Sequence, residues 1–99
     1  MSTWFTYILE CRDGSYYVGI TNDLRARVAE HNAGDGAAWT RMRRPVRLRF
    51  AQLYPDKSSA RKREIEIKHW RREKKEMRFL SSLNIVSGSA PPTETILGQ

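Results

Sequence analysis

Two runs rich in β-branched and aromatic residues, Trp4 to Cys11 and Ser15 to Ile20, flank a short segment containing Asp13-Gly14. An Asp-Gly pair between such runs reads as a tight turn, because glycine accepts the backbone conformation that joins two antiparallel strands. The chain therefore opens with a β-hairpin, and Tyr7 and Tyr17 fall on adjacent strands of it. Thr21, Asn22 or Asp23 can then cap a helix whose apolar positions Leu24 and Val28 lie four apart, ending before Gly34-Asp35-Gly36. Beyond a loop, Val46, Leu48 and Phe50 alternate with Arg47, Arg49 and Ala51, the period of a strand with one buried face running to about Tyr54. Pro55 to Ser59 supplies a break and a cap. A helix follows from Ala60 to about Trp70, and another helical stretch from about Arg71 to Leu80. The order β-β-α-β-α-α predicts an α+β domain with a small, mainly antiparallel sheet flanked by helices. From Leu83 the composition turns to Ser, Gly, Pro and Thr, which predicts a domain over 1–82 and a flexible tail over 83–99, with Ser87 to Gln99 outside the chemistry.

A chain of 99 residues suits one compact domain and one active site. It has no apolar run approaching the ~20 residues of a membrane helix, and Met1 to Phe5 does not open a secretory signal. A soluble, cytoplasmic protein is the expectation. Cys11 has no second cysteine to pair with and reads as a small buried apolar residue. The formal charge of +7 is unevenly distributed. Between Arg41 and Arg49 there are five arginines and no acid, a patch that suits a polyanion, with nucleic acid ahead of an anionic membrane surface. Arg61 to Arg78 carries nine basic residues, but Glu64, Glu66, Glu73 and Glu76 interleave them, as on a solvated helix face.

Glu64 shares a helix side with Ala60, Ile67 and Trp70 or Arg71, so its carboxylate lies on or beside the stripe that faces the sheet. There it must be paired, hydrogen-bonded or bound to a cation. Either a salt bridge to a neighbouring arginine or an oxygen ligand for Mg²⁺ meets that need. Taken alone, Tyr7 and Tyr17 suit ordinary cross-strand packing. Arg27 and His31, one helical turn apart beside Leu24 and Val28, suit a solvated edge.

In combination, Tyr7, Tyr17-Val18-Gly19, Arg27, His31 and Glu64 follow the order and spacing of the GIY-YIG nucleases. The chain resembles the small single-domain bacterial members, through Tyr17 to Leu24, Glu30-His31-Asn32, Gly34, Gly36, Thr40-Arg41, Arg44-Pro45 and Arg63-Glu64 to Lys68. Phe5 and Thr6 replace Gly and Ile of the first signature, and Ile20 stands where the DNA-repair members carry lysine. The resemblance implies a three-stranded antiparallel sheet and an endonuclease that hydrolyses phosphodiesters, DNA being favoured, with one divalent metal, Mg²⁺ or Mn²⁺, on Glu64. It implies Tyr7, Tyr17, Arg27, His31 and Glu64 as catalytic residues, with the general base open between Tyr7 and His31. Thr40, Arg41, Arg43, Arg44, Arg47 and Lys68 are the expected nucleic-acid contacts. Two rivals remain: a binding module that does not cut, and a nuclease domain directed by a targeting partner. Retention of all five chemical positions weighs against the first; the absence of a recognition module in the sequence motivates the second.

Overall fold

The computed structural model describes residues 3–81 and 83–86; the expected tail from Ser87 to Gln99 lies outside them. Seven elements follow in order: β1 (Trp4–Glu10), β2 (Tyr16–Thr21), α1 (Leu24–Ala33), α2 (Ala38–Arg41), β3 (Arg47–Tyr54), α3 (Lys57–Lys68) and α4 (Arg72–Arg78). The sheet has the order β2-β1-β3, with both pairings antiparallel. Gly14 takes a φ of 85° in the first turn, and Ser15 donates from both its backbone N–H and its hydroxyl to Asp13 Oδ1. Asp23 caps α1 by accepting from the Ala26 N–H, and Gly34 ends it in the left-handed conformation. Asp56 caps α3 by accepting from the Ser59 N–H. The one-turn helix α2 stands inside what the sequence suggests is loop.

Both faces of the central strand are covered, so Thr6, Tyr7, Ile8 and Leu9 are all buried in succession. On one face Tyr7 and Leu9 pack with Cys11, Val46 and Ala51 beneath Leu24 and Val28 of α1. On the other, Ile8, Val18 and Phe50 pack against Ile67 of α3 and Phe79. Full burial of side chains this size contributes roughly 1.5–3 kcal/mol each, and Thr6 Oγ1 adds a 2.8 Å bond to the Ala60 carbonyl that fixes α3 on β1.

The reading of Val46, Leu48 and Phe50 as one buried face needs correction. The β1–β3 register runs Ile8↔Phe50 and then Leu9↔Leu48, a bulge that leaves Arg49 as the extra residue. One added residue reverses the side-chain alternation. Phe50 therefore joins the α3 face while Val46 and Leu48 stay on the α1 face. The composition change at Leu83 also fails to mark the end of ordered packing. Asn84 accepts from the Ala51 N–H at 3.0 Å and donates to the Arg49 and Phe79 carbonyls. Ile85 N–H reaches the Ala51 carbonyl, and Val86 packs on the α1-side core.

Candidate active site

The site begins with a pair in the β1–β2 ladder, Tyr7 opposite Gly19. The Tyr7 phenol lies across that glycine so closely that a Cβ at position 19 would stand 2.5 Å from its oxygen. This close approach carries the Tyr7 hydroxyl to His31 of α1, whose Nε2 is 3.0 Å away. His31 is fully buried, and its other nitrogen, Nδ1, is 2.7 Å from Thr40 Oγ1. Thr40 has one hydroxyl proton, which it donates to the Ala37 carbonyl at 3.0 Å. It must therefore accept from Nδ1–H of His31, which leaves Nε2 bare to accept from Tyr7. The result is a directional chain, Tyr7 to His31 to Thr40 to Ala37. Gly36 makes room for it, since a Cβ there would stand 2.3 Å from His31 Nδ1.

Burial sets the charge state of this chain. It pushes the Tyr7 phenol up to about 12, against a hydrogen bond and the positive charge of Arg27. It also pushes His31 down to about 4, with the Arg27 charge acting in the same direction. Both groups are neutral at neutral pH. Arg27 is one-third exposed and also donates to Glu30 at 3.1 Å. The Tyr17 ring closes the cluster, its centroid 6.5 Å from Tyr7 and 5.2 Å from His31.

Glu64 arrives from α3, between the core residues Ala60 and Ile67, and is 7% exposed. Lys68 Nζ stands 3.2 Å from its Oε2, and Arg61 Nε stands 3.6 Å from its Oε1. The ion-pair reading of this carboxylate is thus realised, and its negative charge reaches far enough to raise Tyr7. Yet Oε1 is buried without a hydrogen bond, so one acceptor remains for a cation or for water held by one. Among the described residues there is no cluster of three or more His, Cys, Asp or Glu. This donor set fits a hard ion such as Mg²⁺, which takes one or two carboxylates and completes its shell with water and phosphate. It does not fit a caged structural metal.

The expected nucleic-acid contacts fare differently. Thr40 is fully buried and serves His31, so it is not a surface contact. The arginine patch lacks acids only in sequence. Folding brings Asp13 to Arg43 at 3.1 Å and Glu10 to both Arg47 and Arg49. Arg41 donates to the Gly34 carbonyl, and Arg44 donates to the Arg41 and Asn32 carbonyls. These side chains bind the loop to the sheet as well as carrying charge. Lys68 serves Glu64, and it also lines an open groove with Tyr16, Tyr17, Val18, Trp39 and Lys75. Residues missed from sequence include Asn32, whose amide clamps the N–H and carbonyl of Val46 at 2.7 and 3.1 Å. Its only signal was its place in the Glu30-His31-Asn32 string.

A three-stranded α+β domain with buried tyrosine and histidine on one side and a single inward carboxylate on a later helix defines a small catalytic-domain class. Residues 3–77 match the GIY-YIG catalytic domain, and the chain belongs to the GIY-YIG nuclease family. It is 53% identical over 73 residues to a UPF0213 protein of Halobacterium salinarum, spanning 74% of this chain and 95% of that one. A UPF0213 protein of Staphylococcus aureus is 51% identical over 75 residues, spanning 76% and 92% of the two chains. A protein from E. faecalis solved by solution NMR aligns with a TM-score of 0.54 and 35% identity over 78% of this chain and 82% of that one. No helix among the described residues is long and apolar enough to cross a membrane.

Proposed function

We propose that this chain is an endonuclease that hydrolyses phosphodiester bonds in nucleic acid, DNA above all, with one divalent cation held by Glu64. The observation that carries the reading is the Tyr7–His31–Thr40 chain, touched by Arg27 and set beside the groove that Lys68, the partner of Glu64, shares with Tyr17. When bound, the cation, Mg²⁺ or Mn²⁺, neutralises Glu64, polarises the scissile phosphate and stabilises the departing oxygen. Arg27 binds the phosphoryl oxygens and offsets charge gathering there in the transition state. Tyr17 orients the attacking water or the phosphate.

Of the two candidate bases, Tyr7 is the one assigned to the water: both residues are buried, but His31 has both ring nitrogens engaged, whereas the phenol oxygen keeps acceptor capacity after donating to His31. His31 acts behind Tyr7: as the phenol takes a proton from water, its own proton passes to His31 Nε2. With the Tyr7 phenol pushed up and His31 pushed down by burial, that transfer is strongly uphill in the free protein. Binding has to narrow the gap. Neutralising Glu64 does so, because its upward push on Tyr7 ends. The product ends are a 5′-phosphate and a 3′-hydroxyl.

The test is a panel of labelled DNA and RNA strands, duplexes and branched forms incubated with Mg²⁺, Mn²⁺ or EDTA. The parent protein cleaves at least one of these with metal and none with EDTA. Glu64→Gln keeps the fold and most binding but loses cleavage, because the amide keeps the shape and lacks the charge that holds the cation. Undiminished cleavage by this variant at matched Mg²⁺, or no metal-dependent cleavage by the parent on any substrate, overturns the proposal.

A further inference from the structure

The one-turn helix α2 places two consecutive residues to opposite ends. Thr40 points inward to His31, while Trp39 stays 46% exposed and lines the groove that Tyr17 and Lys68 also line. Nearly half of the residue stays uncovered by the fold, beside that groove. Arg43 gives it an unusual mounting. The guanidinium lies 3.5 Å from the centre of the indole ring, donates to the Trp39 carbonyl at 2.9 Å, and is itself held by Asp13 at 3.1 Å. The ring is backed by a locked cation on one face, so little side-chain freedom is left to lose when something stacks on it. By contrast, Trp70 is ringed by Arg63, Lys74 and Arg78, each within 4.5 to 5.1 Å of its ring centre, and is packed against Phe79 and its neighbours. Its cations come from both flanking helices, whereas Trp39 offers a surface to the groove. Lys68 and Lys75 supply positive charge along the same groove.

We infer that Trp39 is a stacking platform for an unpaired base of the substrate, so that the protein engages nucleic acid at single-stranded or frayed positions next to the Tyr7–His31 chain. The inference rests on the nuclease reading for the nature of the ligand. An aromatic face accepts any base but only one freed from its own stack, and a lysine-bearing groove follows the backbone. Because Trp39 and Thr40 are adjacent in α2, a base seated on the indole lies at a fixed offset from the residue that orients His31. Seating the base thereby sets the register of the phosphodiester presented to Tyr7.

The test measures binding in EDTA, where no cleavage occurs, so its outcome is separate from that of the activity assay. One labelled strand is titrated alone and annealed to its complement as a blunt duplex, in DNA and in RNA form, with parent, Trp39→Ala and Trp39→Phe. Loss of one stacked base weakens single-strand binding about 5- to 150-fold in Trp39→Ala. Duplex binding changes little, and Trp39→Phe recovers most of the loss. Whichever backbone, DNA or RNA, shows the larger loss is the one the groove is built for. An equal loss on strand and duplex, no loss on the strand, or a Trp39→Phe variant as weak as Trp39→Ala overturns the inference while leaving the nuclease proposal standing. A parent that binds neither form defeats both.

Discussion

The two faces of the sheet solve opposite problems. Beneath α3, Ile8, Val18, Phe50, Ile67 and Phe79 form an apolar layer that any well-fitted set of hydrophobic side chains could build. Beneath α1 and α2, Tyr7, His31 and Thr40 bury polar atoms at 0–1% exposure and satisfy them on one another. That arrangement requires two glycines, Gly19 and Gly36, whose missing side chains the tyrosine and histidine rings fill. Burying neutral polar groups costs free energy even when paired. A face kept polar at that cost, beside an exposed groove, is the one to which the proposed chemistry is assigned. Helix α3 belongs to both: Ile67 completes the apolar layer one turn from Glu64, whose Oε1 is left without a hydrogen bond.

This contrast can be broken from either side. Phe50→Ala cuts into the apolar layer and costs about 3–5 kcal/mol of stability, read as a shift in the urea midpoint. Cleavage per folded molecule stays near the parent level, because no chemical group is touched. A loss below about 1 kcal/mol means that the core does not sit where this fold puts it. A pH titration of stability probes the polar face with a smaller effect. His31 falls from its ordinary 6.5 to about 4 in the folded protein, so between these values the unfolded chain binds more protons. Stability is therefore full above pH 6.5, declines as pH falls, and has lost up to about 3 kcal/mol from this residue by pH 4. Carboxylates such as Glu10, held low by Arg47 and Arg49 despite partial burial, begin to lose their contribution only as pH falls past their ordinary 4.5. The difference between parent and His31→Gln isolates the histidine; identical pH curves contradict its burial in neutral form.

Much of this was legible in the sequence, and what escaped did so for physical reasons. The hairpin was marked by Asp13-Gly14, and the α3 stripe of Ala60, Glu64 and Ile67 followed from helical spacing. Strand β3 misled, because Arg49 carries no mark of a bulge that reverses the face of Phe50. The arginine patch misled because charge pairing is a property of space: Asp13 and Glu10 stand some thirty residues or more away along the chain, at the hairpin end. Thr40 could be read as a phosphate contact only because α2 was invisible. A one-turn helix has no periodicity to detect. Convergence of Tyr7, Tyr17, Arg27 and His31 came from family resemblance, whereas the direction of the hydrogen bonds came only from Thr40 and Ala37.

The central claim is that Tyr7 works as the proton-accepting group, with His31 behind it. Single-turnover cleavage and metal-free binding, compared between parent and Tyr7→Phe on the best substrate from the panel, test it most directly. Phenylalanine keeps the ring over Gly19 and removes only the hydroxyl that reaches His31. The account predicts a rate lower by about 10²- to 10⁴-fold with affinity nearly unchanged. A Tyr7→Phe variant that cleaves as fast as the parent, or one whose lost activity is fully explained by lost affinity, contradicts it.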